Sequence, residues 1–100
     1  MLWLFTGGMA VADDPTAELT IRNHQFVPVE LQVPANVKVK LIVTNADDTP
    51  EEFESVELRR EKVVPGGQSV IIYIGPLQPG TYEFFGDFHP QTARGRLIAK

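Results

Sequence analysis

Residues 80–99 read GTYEFFGDFHPQTARGRLIA, which predicts one β-strand over Thr81–Phe85, a loop from Gly86 to Arg94 and a second strand over Gly95–Ala99. Residues 77–80, Leu-Gln-Pro-Gly, are typical of a tight turn leading into the first strand. Aromatic and branched side chains in the strand segments favour an extended conformation, because they pack well on a pleated surface. The C-terminal part of the chain is therefore predicted to be two strands joined by a polar loop.

The same alternation of apolar and polar residues continues through most of the preceding chain. It predicts extended segments that are separated by Pro, Gly and Asn turns, at residues 17–23, 29–33, 37–45, 53–64 and 69–74. No segment has a sustained helical period. About seven to eight short strands with turn signals between them predict an all-β sandwich of two sheets.

The first twelve residues predict an export signal. Residues 1–9 are mostly apolar, and Ala10-Val11-Ala12 fits the small-residue rule for signal-peptide cleavage, although no Lys or Arg precedes Arg22. The apolar stretch is shorter than the roughly 20 residues that span a bilayer. We therefore expect a signal peptide over residues 1–12, a single domain over residues 13–100 and a periplasmic location.

The composition excludes several functions. A net charge of -4 and a pI near 5.0 give no electrostatic reason to bind nucleic acid. The absence of cysteine excludes disulfides, thiol nucleophiles, iron–sulfur clusters and cysteine-based zinc sites. No phosphate-binding glycine loop, HExxH motif or nucleophile elbow is present, so we do not expect a hydrolase.

Residues 80–97 resemble the last hairpin of cupredoxins such as amicyanin and plastocyanin, in which Gly-Thr-Tyr precedes Cys, His and Met copper ligands. On this match Gly86 stands at the ligand Cys, His89 at the ligand His, and Ala93 or its neighbour at the axial Met. Residues 26–35, FVPVELQVPA, resemble the opening of the same family. The resemblance implies a cupredoxin-like Greek-key sandwich without the sulfur ligands of a type 1 copper site.

Three segments are also similar to the cupredoxin-like proteins that accompany bacterial iron permeases: PEEFES at 50–55, LRREK at 58–62 and DFH at 87–89. This resemblance implies a periplasmic accessory protein of ferrous iron uptake. Such a protein holds iron, or assists its oxidation, before transport by a membrane permease. Its cofactor would be an iron or copper ion, and its partner the permease or another periplasmic protein.

We predict that Glu52, Glu54, Asp87 and His89 are the metal ligands. Carboxylates with one imidazole suit iron, manganese or zinc, and copper(II) binds most nitrogen and oxygen sites tightly. Strand alternation places Glu52 and Glu54 on one face. In cupredoxins another ligand His follows directly after a Pro, which corresponds to Pro50 in this chain. A strict alignment on this Pro-His pair selects Glu51 instead, which shares the opposite face with a phenylalanine.

Other interpretations of the same residues remain open. The acidic residues fit a solvated strand edge, and His89 fits a partly buried cap satisfied by a backbone carbonyl. His24 is expected to be a surface histidine. Two further functions follow: a metal-free module that docks on a membrane transporter, and a copper-dependent ferroxidase with a colourless copper site.

Overall fold

The computed structural model describes residues 13–100, which form nine β-strands. The predicted signal peptide, residues 1–12, lies outside the described residues. Over residues 13–100 there is no helix of the length and apolarity needed to cross a membrane. The strands are β1 (Thr16–Arg22), β2 (Gln25–Val27), β3 (Glu30–Val33), β4 (Val39–Asn45), β5 (Glu51–Ser55), β6 (Arg60–Val64), β7 (Ser69–Ile74), β8 (Gly80–Gly86) and β9 (Arg94–Ala99).

The strands form two sheets, with the orders β2-β1-β4-β7 and β3-β9-β8-β5-β6. The pairs β1–β4 and β3–β9 are parallel, and the other paired strands are antiparallel. Consecutive strands therefore cross repeatedly between the sheets, which brings distant segments of the chain side by side. The predicted all-β sandwich is confirmed, with nine strands where about seven to eight were expected.

Two turns account for the additional strands. At residues 23–24 both backbone φ angles are positive, so β1 folds back onto β2 in a two-residue hairpin. The stretch 53–64, predicted as one extended segment, is interrupted after Ser55. The Ser55 hydroxyl accepts a hydrogen bond from the Leu58 backbone N–H (3.1 Å), and Arg59 has a φ of 57°. This hydrogen bond and the left-handed conformation of Arg59 form a turn that the pattern of apolar residues did not predict.

The core lies between the sheets and contains three phenylalanines from different strands. Phe26 meets Phe84 edge to face at 5.0 Å between ring centroids, and Phe53 lies 5.3 Å from Phe84. All three are at most 2% exposed. Aromatic pairs in these arrangements add to the stabilisation from burial alone. They fix β2, β5 and β8 relative to one another.

Three connections meet at one end of the sandwich: the β1–β2 turn, the β4–β5 loop and the β8–β9 loop. The Asp47 carboxylate in the β4–β5 loop accepts hydrogen bonds from the backbone of the β1–β2 turn. The Asp87 N–H donates to the Glu52 carbonyl (2.8 Å), which joins the start of β5 to the β8–β9 loop. The start of β5 and the β8–β9 loop are therefore adjacent at this end of the sandwich.

Candidate metal-binding site

Glu51 is a buried acid at the start of β5. Its side chain points inward on the same face as Phe53, because strand residues alternate between faces, and the residue is 1% exposed. The carboxylate accepts hydrogen bonds from the Phe88 N–H (2.9 Å), from the Glu52 N–H (3.3 Å) and from His89 Nδ1 (2.5 Å). A buried carboxylate needs such donors to compensate for lost hydration. Glu51 therefore orders the first residues of the β8–β9 loop.

His89 is held by this carboxylate. An ionised carboxylate can only accept, so Nδ1 carries the proton of the shared hydrogen bond. In a neutral imidazole the lone pair is then on Nε2, on the side of the ring away from Glu51. The side chain is 32% exposed. The ring is thus fixed by a carboxylate, not by the backbone carbonyl of the capping interpretation.

His24 lies against His89, although the sequence indicated an ordinary surface histidine. The two rings stack at 3.7 Å between centroids with 17° between their planes. The His24 side chain is 42% exposed. His24, Glu51 and His89, hereafter the histidine cluster, each offer a ligand atom, and these atoms lie within 4.8 Å of one another. A shallow cavity of about 340 Å³ opens beside them, lined by His24, His89 and the loop residues 88 and 90–92.

Gly86 shows how this end of the sandwich is filled. A Cβ at this position would lie 2.7 Å from the Ala93 Cβ and 2.7 Å from both Cδ and Oε2 of Glu51. Gly86, Ala93 and Glu51 are all buried. The volume beside Gly86 that a larger residue would use is therefore occupied by the Glu51 carboxylate.

A second group, the acidic cluster, lies on the outer face of the five-stranded sheet that contains β5. Glu52, Glu54 and Asp87 offer carboxylate oxygens within 4.8 Å of one another. Partial burial, followed by the charge of Asp87 and then that of Glu61, raises the pKa of Glu54. Partial burial also raises the pKa of Glu52, with further contributions from Glu61, from a hydrogen bond to Asp87 and from neighbouring charge. The three carboxylates of the cluster and that of Glu61 therefore repel one another.

The structure brings together three of the four predicted ligands, Glu52, Glu54 and Asp87, and places His89 in the histidine cluster. The alternation argument correctly assigned the faces of β5. The alignment on the Pro-His step indicated Glu51, which lies beside His89. The only sequence signal for His24 is an Asn-His pair between two short strands, which is a weak indication of a hairpin turn.

The chain is similar to known proteins in sequence and in fold. The sequence profile of the cupredoxin-like domain matches residues 1–99. The chain belongs to this family. An uncharacterized protein of Rickettsia prowazekii (strain Madrid E) is 53% identical over 81 residues, which are 81% of this chain and 65% of that protein. The chain thus spans just under two thirds of that relative.

Solved structures show the same cupredoxin-like fold. Auracyanin A, a blue copper protein of Chloroflexus aurantiacus, superposes with a TM-score of 0.75 at 14% identity, covering 88% of this chain and all of that one. The metal-binding domain of a Cu(I)-exporting P-type ATPase of Streptococcus pneumoniae gives a TM-score of 0.69 at 12% identity, covering 91% and 99%. At these identities the likeness concerns the fold.

A type 1 copper centre does not fit this cupredoxin-like domain. That centre requires a cysteine thiolate, and the chain contains none. At Gly86, where the resemblance places the cysteine, the Glu51 carboxylate already fills the volume that a side chain would take. The methionines are at positions 1 and 9, outside the described residues. Any metal bound by residues 13–100 must therefore use nitrogen and oxygen ligands.

Proposed function

We propose that the protein is a periplasmic accessory protein of ferrous iron uptake that binds copper or iron through nitrogen and oxygen ligands. The observation that carries this proposal is the hydrogen bond from His89 to the buried Glu51 carboxylate. Histidines that bind metals usually donate their second ring N–H to a carboxylate or carbonyl, which fixes the tautomer and strengthens the ligand. His89 has this arrangement, with Nε2 as the donor atom and the His24 imidazole beside it.

The acidic cluster completes the proposal as the location for iron. Its carboxylate oxygens suit a hard cation, and a bound divalent ion would offset both the partial burial and the like charges that raise the pKa values of Glu52 and Glu54. Glu51 and Glu52 are consecutive residues on opposite faces of β5. Copper at the histidine cluster and iron at the acidic cluster would thus be separated by one strand. Copper held by His24 and His89 would supply a one-electron acceptor for iron(II) held by Glu52, Glu54 and Asp87.

Calorimetric titration tests metal binding and separates the two clusters. Anaerobic titrations with iron(II), and separate titrations with copper(II), are compared for the parent and for His89→Ala and Glu54→Gln. We expect His89→Ala to weaken copper binding and Glu54→Gln to weaken iron binding. Glu18→Gln, which changes an exposed acid on β1, is the control and should bind both metals like the parent. A parent that binds neither metal would exclude the proposal.

Two cellular measurements test the pathway. Fractionation should recover the protein in the periplasm, and deletion of its gene should slow uptake of radioactive ferrous iron. Recovery only in the cytoplasm, or unchanged iron uptake, would contradict the role in transport even if the purified protein binds metal.

One observation favours a second function, a metal-free module that docks on a membrane transporter. The Glu51 carboxylate itself satisfies the partly buried donors around it and fills the volume beside Gly86. This function predicts that the unfolding temperature does not rise with added iron(II), copper(II) or zinc(II). A metal that binds only the folded state must raise it by mass action.

A further inference from the structure

We propose that Asp47 and Thr92 are positioning residues that hold His24 beside His89 and so make the site selective for copper(II) over iron(II). This inference rests on the proposed metal binding at the histidine cluster. Imidazole nitrogen suits copper particularly well, whereas iron(II) also accepts oxygen ligands. A second imidazole at a site that already has one therefore favours copper, provided that its backbone is held in place.

The backbone of His24 is in an unfavourable conformation for its residue type. Asn23 and His24 have φ angles of 54° and 58°, the left-handed pair of a type I′ hairpin turn. Asn suits the first position, but the second is usually glycine, because a Cβ is strained there. A non-glycine residue persists in this region only when its surroundings hold it there. The histidine side chain therefore occupies a position where glycine would fold more easily.

Asp47 holds the two N–H groups of this turn. Its Oδ1 accepts from the Asn23 N–H (2.7 Å) and its Oδ2 from the His24 N–H (2.9 Å). The hydrogen bond from the His24 backbone is the main cause that lowers the pKa of Asp47. Asp47 is itself fixed, because its own N–H donates to the side-chain oxygen of Asn45 (3.0 Å). Asn45 is buried and donates to two backbone carbonyls.

Thr92 holds the other side of the turn. Its hydroxyl donates to the His24 carbonyl at 2.6 Å, and the His89 carbonyl lies 3.5 Å from the same oxygen. The Thr92 N–H also donates to the His89 carbonyl (3.2 Å). One residue thus connects the backbones of both histidines.

These bonds fix the backbone of His24, whereas its ring is held only by the stack on His89 and by a looser contact of Nδ1 with Oδ2 of Asp47 at 3.6 Å. An imidazole donates its lone pair in the plane of the ring, so two stacked rings cannot both direct lone pairs at one ion. The Glu51 hydrogen bond holds the His89 ring, whereas the His24 ring is the more exposed of the two. His24 is therefore the ring that turns out of the stack when an ion binds.

Copper(II) and iron(II) titrations of three variants test the inference. We expect Asp47→Ala to weaken copper binding about 10- to 100-fold, the usual effect of removing a residue that orients a ligand, and to leave iron binding unchanged. Asp47→Asn, which keeps one acceptor oxygen, should recover part of the affinity. Asp48→Ala, an adjacent exposed acid, is the control and should match the parent. Unchanged copper affinity in Asp47→Ala would overturn the inference.

His24→Gly separates a binding role from a structural one. Glycine relieves the strain at this position, so we expect a higher unfolding temperature together with weaker copper binding. In the His24→Gly background, Asp47→Ala should cause no further loss of copper affinity, because the two residues act through one imidazole. Additive losses, or unchanged copper binding in His24→Gly, would contradict the inference.

Proton NMR of the metal-free protein distinguishes failure of this inference from failure of the proposed function. The stack predicts upfield ring-current shifts of the His24 ring protons, which Asp47→Ala should abolish and Asp48→Ala should preserve. Retained shifts in Asp47→Ala show that Asp47 does not position His24. A parent that shows the shifts but binds iron and no copper excludes the copper selectivity alone, and one that binds neither metal also excludes the proposed function; in both cases the positioning role is upheld.

Discussion

Substitution of Gly86 by alanine tests whether the Glu51 carboxylate fills the volume beside this glycine. The added Cβ would lie 2.7 Å from the Ala93 Cβ and from Cδ and Oε2 of Glu51, about 1 Å closer than carbon atoms normally approach. Overpacking of this kind costs about 1–3 kcal/mol. Displacing the carboxylate would weaken a hydrogen bond to a charged group, which contributes about 1.5–3 kcal/mol. We therefore expect Gly86→Ala to lower the free energy of unfolding by about 4 kcal/mol.

Chemical denaturation, monitored by circular dichroism, measures this difference. At about 4–8 °C per kcal/mol for a domain of this size, the unfolding midpoint should also fall by roughly 15–30 °C. Gly80→Ala is a matched control in the same strand, because its nearest atoms beyond the adjacent residues are 3.8 Å or more from the added Cβ. We expect this control to change the unfolding free energy by about 0.5 kcal/mol or less.

The comparison between the two glycines decides the outcome. A Gly86→Ala protein as stable as Gly80→Ala would refute the close contact. The double variant Glu51→Ala/Gly86→Ala refines the test, because removal of the carboxylate should reduce the effect of the added methyl group. We expect a coupling free energy of about 1 kcal/mol or more between these positions. Additive effects would show that Ala93 alone causes the destabilisation.

Three further predictions concern the acidic cluster and the buried polar residues. Glu61→Gln removes a like charge that raises the pKa of Glu54, so it should stabilise the protein at neutral pH. Denaturation curves across pH should show this gain in unfolding free energy appear as the pH rises from the ordinary glutamate pKa through the raised pKa of Glu54. The gain should vanish in acid, and a gain found in acid alone would contradict the prediction. Ser55→Ala should lower the unfolding free energy by about 1–3 kcal/mol, because the hydroxyl of this buried residue donates to the Glu83 carbonyl at 2.6 Å. An unchanged unfolding free energy would refute a stabilising role of this hydrogen bond. Asn45→Ala should lower the unfolding free energy by about 3 kcal/mol in the same assay, because two backbone carbonyls lose the side-chain amide that donates to them. A decrease of less than about 1 kcal/mol would contradict the stabilising role of these two hydrogen bonds.

The strand alternation was sufficient to predict the sandwich and the two faces of β5. Glu51, Phe53 and Ser55 are buried, whereas Glu52 and Glu54 are partly exposed, as a period of two requires. That information is local, because neighbouring residues of one strand determine it. It was enough to place Glu52 and Glu54 on one face, but it could not identify Asp87 as their neighbour or Glu51 as the partner of His89.

The histidine cluster could not be predicted in the same way, because it depends on tertiary contacts. His24 stacks on His89 from a turn whose backbone is bound by Asp47, which belongs to a third segment of the chain. Likewise, the carboxylate beside Gly86 comes from another strand of the sheet. Period and composition do not encode these packing relationships.

The mutual exclusion between a Cβ at Gly86 and the carboxylate of Glu51 also restricts how such a sequence can arise. If the ancestor had a cysteine at this position, as the family resemblance implies, acquiring the glutamate first would place two groups in one volume. From such an ancestor, the order of mutations that avoids this overlap is loss of the side chain at position 86, followed by gain of the acid at position 51. Reversion to the thiol is blocked for as long as the acid remains. Positions 51 and 86 are therefore expected to constrain each other's substitutions through steric overlap.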